Sequence, residues 1–442
     1  MKKNILFSIV FLCSILIQSQ EINKNDLDEL FSDLEHNDKG MGTISICYKG
    51  KQIYKNSIGF SVLEHRKKAN EFTKYRIASV TKTYTATIIL KLVEEGKLKL
   101  TSKVNEYFPE VPNATTLSIE NLLYHRSGLF NITNEKDFSE WIHEPRSRKE
   151  MLMKIGEHKP DFNPDEKTAY SNTNYIILSY IAEKIEGKAF SKIIEDKITK
   201  PLQLKSTSFG KNIAPKNEGA LSYYFENSKW LPITLTTNLK GPMGAGGIVS
   251  TAKEVNTFYS SLFSGKIIEN KTVKKMTTTK EGLGMGLSVF EYRGMLLYGH
   301  NGAMDGFRSI AGYIPEKKLG IVLTFNAVNQ LSLSNLLFKI LDVYFKNDLD
   351  VISTSLIKLK TTDLDKFLGV YGGPTFPLKV TITKKDSTLY AQATGQPLFE
   401  LIALKENVFK YDVMGIVFTF DEKEQTVKVK FQGKNHLLKK LQ

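Results

Sequence analysis

Apolar positions along the chain repeat with two different periods, and the changes between them mark its elements. Thr43-Ile44-Ser45-Ile46-Cys47-Tyr48, a Lys49-Gly50-Lys51 turn and Gln52-Ile53-Tyr54 alternate as the strands of a β-hairpin do. After Ser79 the spacing becomes helical: Val80, Tyr84, Ile88 and Leu92 recur together with Ala86, Ile89, Leu90 and Val93, and Gly96 supplies a C-cap. That helix is apolar on more than one face, which predicts a central position. Residues 117–130 and 172–200 read as mainly helical, with Pro160, Pro164 and Pro201 as punctuation. From Leu283 to Asn326 short β runs separated by Gly, Asp and Pro predict an antiparallel meander, closed by an amphipathic helix from about Ser332 to Tyr344. Polar sequence over 346–362 reads as a linker, and the short alternating strands that follow predict a small all-β domain over 363–442.

The N-terminus adds a destination. Lys2 and Lys3 precede an apolar run from Ile5 to Ile17, followed by Gln18-Ser19-Gln20, which is the build of a secretory signal peptide over residues 1–19. The run is shorter than the ~20 residues a spanning helix needs. The expected location is therefore periplasmic or extracellular, after cleavage near Ser19. Cys13 lies inside the run without the small residues that precede a lipidated cysteine. Cleavage would leave Cys47 as the sole cysteine, so no intrachain disulfide is expected.

Composition narrows the function classes. With 442 residues, 41% of them hydrophobic and 24% charged, the chain is neither disordered nor collagenous nor a disulfide scaffold. The seven histidines are scattered, and neither Cys-x-x-Cys nor His-Glu-x-x-His occurs, so neither a metal nor a cofactor is expected. Lys and Arg outnumber Asp and Glu by 61 to 47; removing Lys2 and Lys3 from the net charge of +14 leaves +12. The lysines are dispersed, without a recognition helix or base-stacking motif, so no nucleic acid partner is expected. A weak, salt-screened association with the anionic cell envelope is the reading of the charge. Oligomeric state is left open.

Neither Gly-x-Ser-x-Gly nor a phosphate-binding glycine loop is present. Ser-x-x-Lys remains, which on a helix puts a lysine amine one turn from a serine hydroxyl. It occurs four times, at Ser79/Lys82, Ser208/Lys211, Ser250/Lys253 and Ser355/Lys358. Only Ser79 follows a short β-like run, Arg76-Ile77-Ala78, and opens the most apolar helix, whose N-terminal amides favour developing negative charge. Tyr170-Ser171-Asn172 and His300-Asn301-Gly302 follow in that order.

With this ordered set the chain resembles the serine β-lactamase and penicillin-recognising family, particularly its branch of class C β-lactamases, D-alanyl-D-alanine carboxypeptidases, D-aminopeptidases and esterases. The phrases Leu122-Leu123-Tyr124-His125-Arg126-Ser127-Gly128-Leu129 and Gly244-Ala245-Gly246-Gly247 are similar to the family as well, and the likeness spans roughly residues 25–345. It implies an α+β fold: an antiparallel sheet flanked by helices plus a helical subdomain, over 20–345, with the site between them. The final β domain resembles small barrel-like modules appended to family members.

The resemblance implies that Ser79 is the acylated nucleophile, Lys82 its proton partner and Tyr170 a second acid/base, with a phenol pKa lowered by neighbouring cations. Asn172 would hold the substrate amide and Lys82, and His300 and Gly302 would line the cleft on an edge strand. The backbone N–H groups of Ser79 and Ala303 would form the oxyanion hole. His125 reads as a structural contact. At His300 class C enzymes generally carry Lys, which shifts the expectation from a true β-lactamase toward a peptidase or carboxylesterase. The expected function is an exported serine hydrolase acting through an acyl-enzyme on a D-amino-acid peptide, β-lactam or ester. The alternative is a catalytically silent envelope protein that binds peptidoglycan or a partner through the cleft and the C-terminal domain.

Overall fold

A computed structural model describes residues 22–211, 213–345, 359–374, 376–394, 398–411, 416–431 and 434–441. The signal-peptide reading at 1–19 and most of the expected linker, 346–358, lie outside the described residues. The first part of the chain holds helix α1 (Lys24–His36), hairpin strands β1 (Gly40–Tyr48) and β2 (Lys51–Ile58), and helices α2 (Thr81–Glu94), α3 (Asn172–Glu186) and α4 (Ala252–Phe263). The expected meander follows as β3 (Leu283–Gly284), β4 (Leu287–Tyr292), β5 (Met295–Met304), β6 (Phe307–Ile314) and β7 (Leu319–Val328), then helix α5 (Leu333–Phe345). These strands form one antiparallel seven-stranded sheet in the order β3-β4-β5-β6-β7-β1-β2.

Alternation along the central strands explains the layers. Ile44, Ile46, Ile310, Ile321 and Leu323 point to one face and pack with Leu27 and Phe31 of α1 and Leu336, Leu337 and Ile340 of α5. Ala311 and Val322 point to the other face and join a core shared with α2, α3 and α4. Because both faces are covered, β1 and β7 are buried along almost their whole length. One polar residue fastens the second layer: Asn256 of α4, fully buried, donates from Nδ2 to Ser45 O at 2.8 Å and to Gly320 O at 3.0 Å. Gly320 makes that approach possible, since a Cβ there would lie 2.2 Å from Asn256 Oδ1.

The helical region is more broken than its periodicity predicts. Over 117–130 only Ile119–Leu123 is α-helical, capped by Ser118, and the left-handed φ of His125 (56°) and Gly128 (72°) turns the chain out of the helix. Over 172–200, α3 ends at Gly187 (φ 65°) and a second short helix, Phe190–Ile194, runs into a wider turn at Glu195–Thr199. The helix after Ser79 is central, as its pattern predicts: Tyr84 of α2 stacks on Phe258 of α4 with ring centroids 3.6 Å apart.

The C-terminal strands close into an eight-stranded antiparallel barrel, from Gly369–Gly373 to Lys434–Leu441, with Val370 paired to Leu441 across the closure. Phe409, Phe418 and Phe420 fill its interior together with Leu364 and Phe367 from the turn at Thr361–Phe367.

Gly320→Ala is expected to force α4 off the sheet and to cost about 1–3 kcal/mol. A urea midpoint measured by circular dichroism checks this; an unchanged midpoint would contradict the close approach of Asn256.

Candidate active site

Ser79 sits in a 3-10 turn, Ala78–Val80, immediately before α2. The turn is strained and pinned. Ala78 has a left-handed φ of 48°, unfavourable for a residue with a Cβ. Ile77 N donates to Ile248 O at 3.1 Å, and Ser309 Oγ of β6 donates to Ile77 O at 2.8 Å. Gly302 of β5 lies against the same turn, where a Cβ would meet Ile77 O at 2.3 Å and Ser309 Oγ at 2.4 Å. Only glycine allows β5 to run this close to the nucleophile.

One helical turn on, Lys82 is fully buried, and its Nζ lies 3.0 Å from Ser79 Oγ. Its two other neighbours are Asn172 Oδ1 at 2.7 Å and Ala245 O at 2.8 Å. The orientation of the Asn172 amide follows from its far side, where Nδ2 donates to Thr133 Oγ1 at 3.1 Å. Tyr170 completes the group: its hydroxyl donates to Ser79 Oγ at 2.9 Å, and its ring is 41% exposed at the cleft. Lys82 and Tyr170 therefore meet at Ser79 Oγ, and Asn172 joins them through Lys82 Nζ.

Burial sets the protonation states. Desolvation holds the Lys82 pKa well below the ordinary lysine value. A neutral amine has two N–H groups, for Asn172 Oδ1 and Ala245 O, and one lone pair, which faces the hydroxyl of Ser79. The lowered phenol pKa expected for Tyr170 is not found. Desolvation raises it, partly offset by the hydrogen bond to Ser79, so the phenol keeps its proton. The reason is burial, whose cost to a phenolate outweighs the hydrogen bond to Ser79.

His300 is buried, and its Nδ1 donates to Asn301 O at 2.6 Å. A carbonyl can only accept, so the other ring nitrogen is an acceptor in the neutral ring. Burial holds its pKa well below the ordinary imidazole value. The strand carrying His300 and Gly302 is not the edge strand expected. Residues of β4 pair with β5, but that pairing stops at Gly299, which leaves His300 to Met304 open on the cleft side.

Ser79 and Ala303, the expected oxyanion-hole pair, line the same cavity of about 250 Å3 with Asn172 and Ala245. A larger hollow of about 850 Å3, lined among others by Tyr107, Arg148 and Lys188, contains none of the site residues. Of the other Ser-x-x-Lys serines, Ser208 opens a two-residue strand, Ser250 is buried against Thr207 Oγ1 at 2.7 Å, and Ser355 lies outside the described residues.

Sequence reasoning missed two supports and read a third as structural. Ala245 O is an acceptor for Lys82, although the Gly244–Gly247 cluster marked a tight turn there. Asn131 and Thr133 hold Asn172, with Asn172 N donating to Asn131 Oδ1 at 3.0 Å, and no motif announces them. His125, read as structural, accepts at Nδ1 from Ser171 N at 3.1 Å, and its ring lies 4.5 Å from that of Tyr170. It thereby sets the backbone between Tyr170 and Asn172.

The chain matches the Beta-lactamase family over residues 28–337, more than half its length. The chain belongs to the beta-lactamase family. Among curated proteins it is 27% identical to "Putative penicillin-binding protein PbpX" of Bacillus subtilis over 299 residues, covering 68% of this chain and 74% of that one. In fold it is similar to D-amino acid amidase from Ochrobactrum anthropi SV3, with a TM-score of 0.66, 23% identity, and coverage of 73% of this chain and 99% of that one. The octameric penicillin-binding protein homologue from Pyrococcus abyssi covers 95% of this chain and all of its own, at a TM-score of 0.67 and 23% identity. The beta-lactamase match ends before the barrel, whereas the likeness to the Pyrococcus protein extends through it.

In this beta-lactamase-family site kcat/KM for an ester should reach its alkaline plateau well below the ordinary lysine pKa, because Lys82 is a base only when neutral and burial lowers its pKa. Activity should fall as pH drops through its lowered pKa, and the acid limb should stay in place in His300→Gln. An apparent pKa near the ordinary lysine value of about 10.4 would contradict the neutral amine.

Proposed function

We propose that this chain is a serine hydrolase that works through an acyl-enzyme on Ser79, cleaving an amide or ester of the D-amino-acid peptide or carboxylic ester type in preference to a β-lactam. The observation that carries this reading is the pair of groups on one oxygen: Lys82 Nζ at 3.0 Å and the Tyr170 hydroxyl at 2.9 Å from Ser79 Oγ. Nucleophile and base within hydrogen-bond reach, with the base oriented by Asn172 and Ala245 O, is the arrangement that activates a serine.

The steps follow from the protonation states. Neutral Lys82 takes the proton of Ser79 as Oγ bonds to the substrate carbonyl. The oxyanion meets the backbone N–H groups of Ser79 and Ala303, donors of a kind whose loss typically slows turnover by roughly a hundred- to a thousand-fold. Tyr170 gives its proton to the leaving amine or alcohol, and the proton on Lys82 passes to the phenolate, which restores both groups. Water then attacks the acyl-enzyme with the same pair acting in reverse.

His300 supports the preference for peptides and esters. A buried neutral imidazole gives a substrate carboxylate no fixed positive charge, whereas the ammonium that class C enzymes carry there does. Relatives whose names include a D-amino acid amidase and a penicillin-binding protein fit this chemistry. Export belongs to the same proposal, resting on Lys2, Lys3 and the apolar run to Ile17.

A fluorophosphonate or fluorescent penicillin is expected to label the wild type and not Ser79→Ala, and Tyr170→Phe should lower ester turnover by about 10²–10⁴-fold. Equal labelling of wild type and Ser79→Ala, seen on a gel, would refute the acyl-enzyme.

A further inference from the structure

The cavity beside Ser79 has a composition of its own. Ile132, Phe138, Trp141, Ile142, Met151 and Ile176 bring large apolar side chains to its wall. Its volume of about 250 Å3 exceeds the roughly 150 Å3 in which an apolar cavity holds a benzene ring. The charged residue on its lining is Asp305, and both oxygens of that carboxylate are occupied. Oδ2 accepts from Arg76 at 2.8 Å and from Thr237 N at 2.9 Å, and Oδ1 accepts from Thr237 Oγ1 at 2.8 Å. A charged group entering the cavity would therefore lose water without gaining a free counter-ion.

The position of the cavity says which half of a substrate it receives. Asn172, Ala245 and Ala303 line it, but Tyr170, which serves the leaving group, and His300 do not. It thus lies on the acyl side of the attacked carbonyl. Its wall is held in place from behind. Trp141, 5% exposed, donates from Nε1 to Glu135 Oε2 at 2.9 Å. The same carboxylate, with 6% of its side chain exposed, is held by Lys154 Nζ at 2.7 Å and pairs with His158 Nε2 at 2.6 Å. Fixing the indole nitrogen in this way leaves the ring's orientation set before a ligand arrives.

Resting on the serine-hydrolase reading above, we propose that this cavity is the acyl-group pocket and that it selects an uncharged, apolar acyl group of aromatic size, with Trp141 and Phe138 as its specificity-determining residues. An acyl half bearing a free ammonium or carboxylate is discriminated against.

The test compares p-nitrophenyl acetate, p-nitrophenyl phenylacetate and p-nitrophenyl hydrogen succinate on the full chain. Nitrophenolate release at limiting ester is measured, since it reports acylation whether or not deacylation follows. After division by each ester's rate with hydroxide, the phenylacetyl ester should acylate the wild type at least tenfold faster than acetyl, and the succinyl ester no faster than acetyl. In Trp141→Ala and in Phe138→Ala, whose ring is only partly buried, the phenylacetyl-to-acetyl ratio should fall by roughly tenfold. Because the ratio is taken within one preparation, partial loss of folded protein cancels. A wild-type ratio near one, or a ratio unmoved in both variants, overturns the pocket while the serine-hydrolase reading stands. Failure of every ester to acylate Ser79 overturns that reading, and the pocket falls with it.

Discussion

An amine taken out of water needs compensation, and Lys82 finds it in two carbonyl acceptors, Asn172 Oδ1 and Ala245 O, and in the hydroxyl of Ser79. Three separate stretches of the chain, α2, the start of α3 and the glycine cluster before α4, must converge for that set to exist. Compensation of this kind favours the neutral amine, since two acceptors match its two N–H groups and its lone pair is left for the serine. The positions of Tyr170 and Asn172 follow, because both belong to the segment whose backbone His125 and Asn131 hold, while Thr133 holds the Asn172 side chain.

The second constraint is steric. A nucleophile at the mouth of a helix must also face the strand that carries its oxyanion donor, and here the two backbones almost touch. Gly302 permits the contact on the strand side, while Ala78 accepts a left-handed φ on the other. Conformations of this kind cost on the order of 1–3 kcal/mol each and persist only where their surroundings over-determine them. The ties from Ile248 and Ser309, one from the helical side and one from the sheet, do that. Strain in the turn is therefore borne by both layers of the domain, which places the site at their junction.

What the sequence discloses follows from the same physics. Local periodicity was enough for the hairpin, the meander, α2 and the C-terminal strands, because each alternates or repeats within a few residues. The α+β architecture and the four residues around Ser79 Oγ became legible through the order of three short motifs, since no one of them is specific alone. Helix lengths over 117–130 and 172–200 were overestimated because apolar spacing continues past His125, Gly128 and Gly187, where a positive φ ends the helix. The acceptor role of Ala245 O and the support from Asn131 were illegible, as backbone carbonyls and loop amides carry no pattern. The sign of the Tyr170 shift is illegible for a related reason: it depends on burial of the phenol, which only the fold reveals.

A net charge of +14 suggests a positive cleft, yet burial disfavours the charged forms of the basic groups at the site. Burial lowers the pKa of Lys82, of His300 and of His125. The consequence is a difference between ground and transition states. In the proposed mechanism, no ammonium attracts the substrate while it is merely bound, and contact with apolar walls supplies the attraction. As Ser79 loses its proton to Lys82, a positive charge appears within one hydrogen bond of the oxygen attacking the carbonyl, together with the oxyanion it helps to balance. Both charges form in a site of low polarity, where their interaction is stronger than in water. Stabilisation that exists only once the charges have formed lowers the barrier without tightening the resting complex. A lysine kept neutral until the reaction charges it is, on this account, better suited to the chemistry than one paired in advance with a carboxylate.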